Sequence, residues 1–188
     1  DDALVERHNY GKGLTRPELA ILVSYSKALL KEELLDPDVY EDSMLGGFVH
    51  TAFPGVLTRD FQEELTNHQL RREIVATQVA NDLVNHMGVH FVPRLTNSTG
   101  ASPSMVARAY ITARGIMQVE NCWAAIEKLD HQVDSSLQHE MMLDVMRLVR
   151  RSSRWFIRNR RGSLVPDIEV ERFASALAEI STEMHDLL

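Results

Sequence analysis

His86 and His90 stand at the i, i+4 spacing that lets two imidazoles share a metal on one helix face. Gly88 lies between them and is expected to end the helix, which favours a structural histidine pair over a metal site. Asp130-His131 pairs an acid with a base, but no nucleophile stands nearby, so it reads as a helix-boundary pair. Gly11-Lys12-Gly13 and Gly46-Gly47 are too short for a dinucleotide fingerprint or a P-loop. Cys122 is the single cysteine, which excludes an internal disulfide and argues against a cysteine-based zinc site. It is expected to pack as a small buried hydrophobe.

Two polar patterns remain. Thr77, Asn81 and Asn85 fall at i, i+4 and i+8, in line on an otherwise apolar helix. Buried polar groups need partners, and loop backbone such as the polar stretch 94–102 is the expected one; a ligand site is the alternative. Arg71 and Arg72 extend this line into a candidate buried polar network, with Glu73 and Glu64 as the acids at hand. The second pattern is basic. Arg147, Arg150, Arg151, Arg154, Arg158, Arg160 and Arg161 are seven of the sixteen arginines, with no acid among them. All but Arg160 recur at i+3 and i+4 steps and so share a helix face. The remainder of the chain then holds 13 basic and 27 acidic residues, a balance of −14. The plain reading is a solvated face answered by acidic helices. The sharper one is a docking surface for another domain or subunit. Nucleic-acid or phosphate binding is disfavoured, because the remaining surface would repel a polyanion.

These patterns need helices to carry them. Residues 58–87 contain no Pro or Gly and predict one helix of about 45 Å at about 1.5 Å per residue. Thr58 suits its N-cap and Gly88 its left-handed end. Its apolar residues (Phe61, Leu65, Ala76, Leu83 and Met87 on one stripe; Leu70, Ile74 and Val84 on another) make it the expected centre of a bundle. Thr15-Arg16-Pro17-Glu18 forms a capping box for a helix that Asp36-Pro37 stops. Short helices are expected around 39–45 and 48–52, a turn or short helix at 89–92, and a polar loop at 94–102. Ser102-Pro103 opens a further helix, in which Gly115 permits a close helix–helix contact. Segments 120–129 and 133–160 and a helix from Pro166-Asp167 complete the chain. No stretch alternates as a half-buried strand does. The expected fold is all-α, a multi-helix bundle of roughly six or seven main helices around the 58–87 helix. Residues 1–13 read as a linker or remnant of an upstream domain, and 14–188 as the helical domain.

Composition bounds the rest. The 188 residues are enough for one domain with a real core. A net charge of −7 argues against general nucleic-acid affinity. No apolar run approaches the roughly 20 residues that span a bilayer. The first residues, DDALVERHNYGKG, lack the apolar core of a signal peptide and look like a cut inside a longer chain. A cytoplasmic compartment is the expectation.

Several stretches together resemble one family. They are Gly13-Leu14-Thr15-Arg16-Pro17-Glu18-Leu19-Ala20 with Ser24-Tyr25-Ser26-Lys27, Ala52-Phe53-Pro54, and His68 through Asn85 with Gly88. Arg108-Ala109-Tyr110, Trp123 with Leu129-Asp130, and Arg154-Trp155-Phe156 complete the set. The chain resembles the C-terminal helical region of the large bacterial NAD-specific glutamate dehydrogenases over residues 6–175. The resemblance implies a parent that oxidatively deaminates L-glutamate to 2-oxoglutarate and ammonia while reducing NAD. It implies that catalytic and NAD-binding residues lie upstream, so that this segment carries neither cofactor nor catalytic residue. Its expected role is structural, in assembly or in regulation. Its expected partners are the upstream catalytic domain and further copies of the parent in a homo-oligomer. A helical module that binds an acidic protein or nucleic acid through Arg147–Arg161 is the alternative.

Overall fold

The computed structural model describes residues 2–160, 162 and 164–186. Among them are eleven α-helices, one 3-10 helix and no strand, so the all-α expectation holds. α1 (Asp2–Asn9) turns through Gly11 at φ 64° into α2 (Arg16–Glu33). At the start of α2 the Thr15 backbone N–H and hydroxyl both donate to the Glu18 carboxylate at 2.7 Å. Arg7 pairs with the same carboxylate at 2.7 Å and ties α1 to α2. α2 stops before Asp36, whose side chain accepts the Asp38 N–H and caps α3 (Pro37–Tyr40). A 3-10 helix, Gly46–Ala52, follows.

The single long helix over 58–87 is not formed. The chain makes α4 (Gly55–Asp60), α5 (Gln62–Thr66) and then α6 (Arg71–Met87). Pro54, not Thr58, stands at the N-cap of the first, and Thr58 lies inside it. Phe61 breaks the path at φ −132°, ψ 41°. At the second break, Asn67 ends α5, and the His68 ring nitrogen Nδ1 accepts the Leu70 N–H at 3.1 Å, so a side chain takes a donor a continuous helix would have used. Phe61 and Leu70, expected in the stripes, are exposed. Of the α6 residues expected in the stripes, Ala76, Leu83, Val84 and Met87 are buried and Ile74 is half-buried; Val75, Val79 and Ala80, outside them, are buried as well. Gly88 ends α6 at φ 79°, ψ 165°, an extended positive-φ backbone that suits glycine rather than the left-handed helical cap.

The expected loop at 94–102 is also mostly helix. α7 spans Phe91–Thr99 and closes on Gly100 in the left-handed conformation. Phe91, Val92 and Leu95 are buried on one face, which is what orders it. Two of its hydroxyls settle within the helix, Thr99 and Ser98 donating to the Leu95 carbonyl, while the buried Thr96 hydroxyl has no partner among the described residues.

Ser102 caps α8 (Pro103–Ile116) by accepting the Met105 N–H, as its sequence signals. α8, rather than α6, is the hub. Nine of its fourteen residues are buried, and it packs on α2, α3, α7, and three later helices. Those are α9 (Val119–Glu127), α10 (Ser135–Asn159) and α11 (Pro166–Asp186). Gly115 supplies the close approach expected of it, since a Cβ there would lie 2.9 Å from Val170 Cγ2 on α11. Arg160 reaches the buried Glu169 at 3.1 Å and holds α10 to α11.

Candidate functional site

Asp82 follows Asn81 on α6, and His86 lies one turn further on. Tyr110 and Arg114 share a face of α8 by the same i, i+4 logic. Across the gap between the helices, the Tyr110 hydroxyl donates to Asp82 Oδ2 at 2.7 Å. Arg114 Nη1 donates to the same oxygen, and Arg114 Nε donates to Glu120 on α9. Three rings surround the guanidinium, with centroids 5.3 Å (Trp123), 5.7 Å (Phe48) and 5.8 Å (Tyr110) from its carbon. His86 stacks on Trp123 at 4.0 Å with planes 9° apart, and its Nδ1 is 3.1 Å from Asp82 Oδ1. One carboxylate thus ties α6 to α8, and one guanidinium ties both to α9.

The electrostatics follow from burial and charge. Burial alone would raise the Asp82 carboxyl. The His86 hydrogen bond, the Arg114 charge and the Tyr110 hydroxyl outweigh it and hold Asp82 below the ordinary carboxylate range. Burial opposes the Arg114 charge too, yet Tyr110, Asp82 and Glu120 leave that guanidinium more firmly protonated. Burial, reinforced by the Asp82 charge, pushes the Tyr110 hydroxyl well above the ordinary phenol value, so it remains a donor.

Asp82, His86, Arg114 and Glu120 of this network line an open cleft of about 530 Å³. Gln78, Asn81 and Asn85 line one wall from α6, and Phe48 and Thr51 the other. The three amides hydrogen-bond to no described residue. The Thr51 hydroxyl donates to the Phe48 carbonyl at 2.8 Å. The cleft offers amide donors and acceptors beside a guanidinium already held by two carboxylates.

The residues singled out by sequence take separate places. Asn81 and Asn85 meet in the cleft. Thr77 donates to the Glu73 carbonyl of its own helix at 2.7 Å, not to the 94–102 stretch. Arg72 is exposed and pairs with its neighbour Glu73 at 3.3 Å. Glu64 is exposed and joins no ion pair among the described residues. Arg71 lies against Gly46: a Cβ there would be 2.5 Å from Arg71 Nη2. His86 belongs to the cleft and His90 is exposed at the start of α7, so they form no pair. Asp130 and His131 face each other in solvent at 3.5 Å. Cys122 is exposed on α9, not buried, because the inward positions of that helix go to Val119 and Ile126. No cluster of three or more His, Cys, Asp or Glu suited to a metal occurs among the described residues. None of their helices is long and apolar enough to cross a membrane.

On α10, Arg147, Arg151, Arg154 and Arg158 are exposed and Arg150 is half-buried. Arg147 pairs with Asp144 at 2.6 Å; the other four have no ion pair among the described residues. Arg161 lies outside the described residues. Asp82, Tyr110, Arg114, Glu120 and Trp123 were not singled out as a group by sequence. The i, i+4 pairs Asp82/His86 and Tyr110/Arg114 were the available signal.

Against this geometry, the family described as the C-terminal part of glutamate dehydrogenase matches residues 11–188. The NAD-specific glutamate dehydrogenase of Halomonas elongata is 48% identical over 180 residues, covering 96% of this chain and 11% of that protein. Its counterpart in Pseudomonas aeruginosa is 45% identical over 188 residues, covering 100% of this chain and 12% of that protein. The Mycobacterium tuberculosis protein of the same name is 32% identical over 185 residues, 98% of this chain and 11% of its own length. The chain therefore spans only about one ninth of the length of the curated relatives it matches.

Proposed function

The chain belongs to the glutamate dehydrogenase C-terminal family, and on that premise we propose that it is a non-catalytic helical module of an NAD-dependent enzyme that oxidises L-glutamate to 2-oxoglutarate and ammonia. The observation that carries this is coverage: relatives named for that activity match the whole chain with about a ninth of their own length. The module's work is to support the assembly or regulation of the larger polypeptide, with NAD and the reacting atoms held elsewhere in it. The cleft supports that division of labour. Its Arg114 is committed to Asp82 and Glu120, and its tyrosine is held protonated, so its strong groups serve to lock α6, α8 and α9 together. A cytoplasmic, homo-oligomeric parent is part of the same reading.

The test is glutamate-dependent NADH formation by the full-length enzyme with and without residues 14–188, together with its subunit mass. The expected result is a change in activity or assembly on deletion, and no turnover by the isolated chain. Glutamate turnover or tight NAD binding by residues 1–188 alone would overturn the proposal.

A further inference from the structure

α10 carries two exposed features side by side. Leu137, Met141, Leu148 and Trp155 are 49%, 37%, 44% and 46% exposed. At about 100° per residue they lie within about 40° of one another, a seam about 27 Å long that exposed Asp144, paired with Arg147, interrupts between Met141 and Leu148. A run of large side chains left open along five turns has the spacing of a helix-in-groove anchor set. Next to it lie Arg150, Arg151, Arg154 and Arg158, within an arc of about 100°. None has an acid partner among the described residues, and Arg150–Arg154 and Arg154–Arg158 are like-charge i, i+4 pairs that repel. At the end of the seam, Trp155 borders an apolar cleft of about 370 Å³ with Ile116, Met117 and Phe173, and Arg151 stands at its lip. An open aromatic beside an apolar cleft that one unpaired arginine, Arg151, helps to line has the make-up of an interface centre.

We infer that α10 seats an acidic amphipathic helix from the part of the same polypeptide that lies outside these 188 residues. Its apolar stripe runs along the Leu137–Trp155 seam, one large side chain enters the cleft beside Trp155, and its carboxylates meet the arginines. Charge decides the partner's chemistry. Length decides its source: roughly nine tenths of each relative lies outside the matched stretch. A covalently tethered segment also binds at an effective concentration in the millimolar range for a suitable linker, far above that of a free partner. The inference rests on the proposed membership of a longer enzyme, and it adds which face of the module is used and by what.

The experiment places the photoreactive residue p-benzoylphenylalanine at position 155, or at position 148 on the same seam if the first variant does not fold, in the full-length enzyme. Irradiation and peptide mass spectrometry then identify the partner. The expected product is an intramolecular cross-link to a segment outside residues 1–188 with Asp and Glu at helical spacing. Arg150→Glu with Arg154→Glu should cut its yield roughly tenfold, the effect of reversing charges that pair across an interface, with the melting temperature unchanged. Cross-links confined to residues 1–188, links between isotopically distinct subunits, links to a segment without acids, or no product at both positions would overturn it. NADH formation from glutamate without the cross-link sinks the docking alone. The cross-link in a protein that never turns over glutamate sinks the functional reading alone.

Discussion

Asp82 does at one position what several helix contacts do elsewhere: it accepts from Tyr110, Arg114 and His86, on two helices. Its carboxyl titrates below the ordinary 3.8 in the folded chain. A depressed folded value means the charged carboxylate is favoured by folding. Its contribution is complete above the unfolded value and is lost as pH falls through the folded one. Asp82→Asn keeps the shape and one acceptor but leaves Arg114 with Glu120 alone. Urea denaturation at pH 7 should show a loss of about 2 kcal/mol, the scale of a hydrogen bond to a charged group. The gap between variant and parent should narrow as pH drops below 3.8. Equal midpoints at pH 7 would mean the network adds nothing. The residue was not legible in sequence because its role exists only where α6, α8 and α9 meet. Asn81 and Asn85, chosen for their spacing, do reach the cleft; Thr77, on the same line, turns back to its own helix because a hydroxyl can satisfy itself on the preceding turn.

Among the elements, those with a cap and a stop signal were readable, and those shaped by tertiary demand were not. The starts of α2 and α8 stand where Thr15-Arg16-Pro17-Glu18 and Ser102-Pro103 put them. The missing breaks were at Phe61 and Asn67, where no Pro or Gly announces a turn; Phe61 leaves helical geometry, and after Asn67 the His68 ring takes the Leu70 N–H. The glycine in α8 was readable for the opposite reason: glycine inside a helix costs about 1 kcal/mol against alanine unless something uses the gap. Here α11 uses it. Gly115→Leu should cost about 1–3 kcal/mol by forcing Val170 aside, read as a lower denaturation midpoint. Gly47→Ala, which meets nothing within 4 Å, should change stability by less than about 0.5 kcal/mol. Leu83→Ala on α6, at a position 1% exposed, should cost about 2–5 kcal/mol. A Leu83 loss well under that range would mean the core closes around the void.

At the scale of the whole molecule, charge is what separates the readings of the arginine face. A net −7 is the sum of a stretch, 147–161, with seven arginines and a remainder at −14; five of the seven lie on α10. At about 0.1 M salt the screening length is about 10 Å, so a partner lying along α10 feels the arginines, while one wrapping the whole surface meets mostly acid. An acidic helix about 27 Å long is of the first kind, whereas duplex DNA, with a charge every ~1.7 Å of axis, is too extended to avoid the second. Fluorescence anisotropy of a labelled random-sequence duplex should therefore show no saturable binding at physiological salt, and only weak, non-specific binding at low salt. Binding that persists at physiological salt, falls steeply with added salt and disappears on Arg150→Glu with Arg154→Glu would assign the face to nucleic acid. It would also mean that the surrounding acids lie too far from α10 to oppose a polyanion, which the photocross-linking map from position 155 would then have to accommodate.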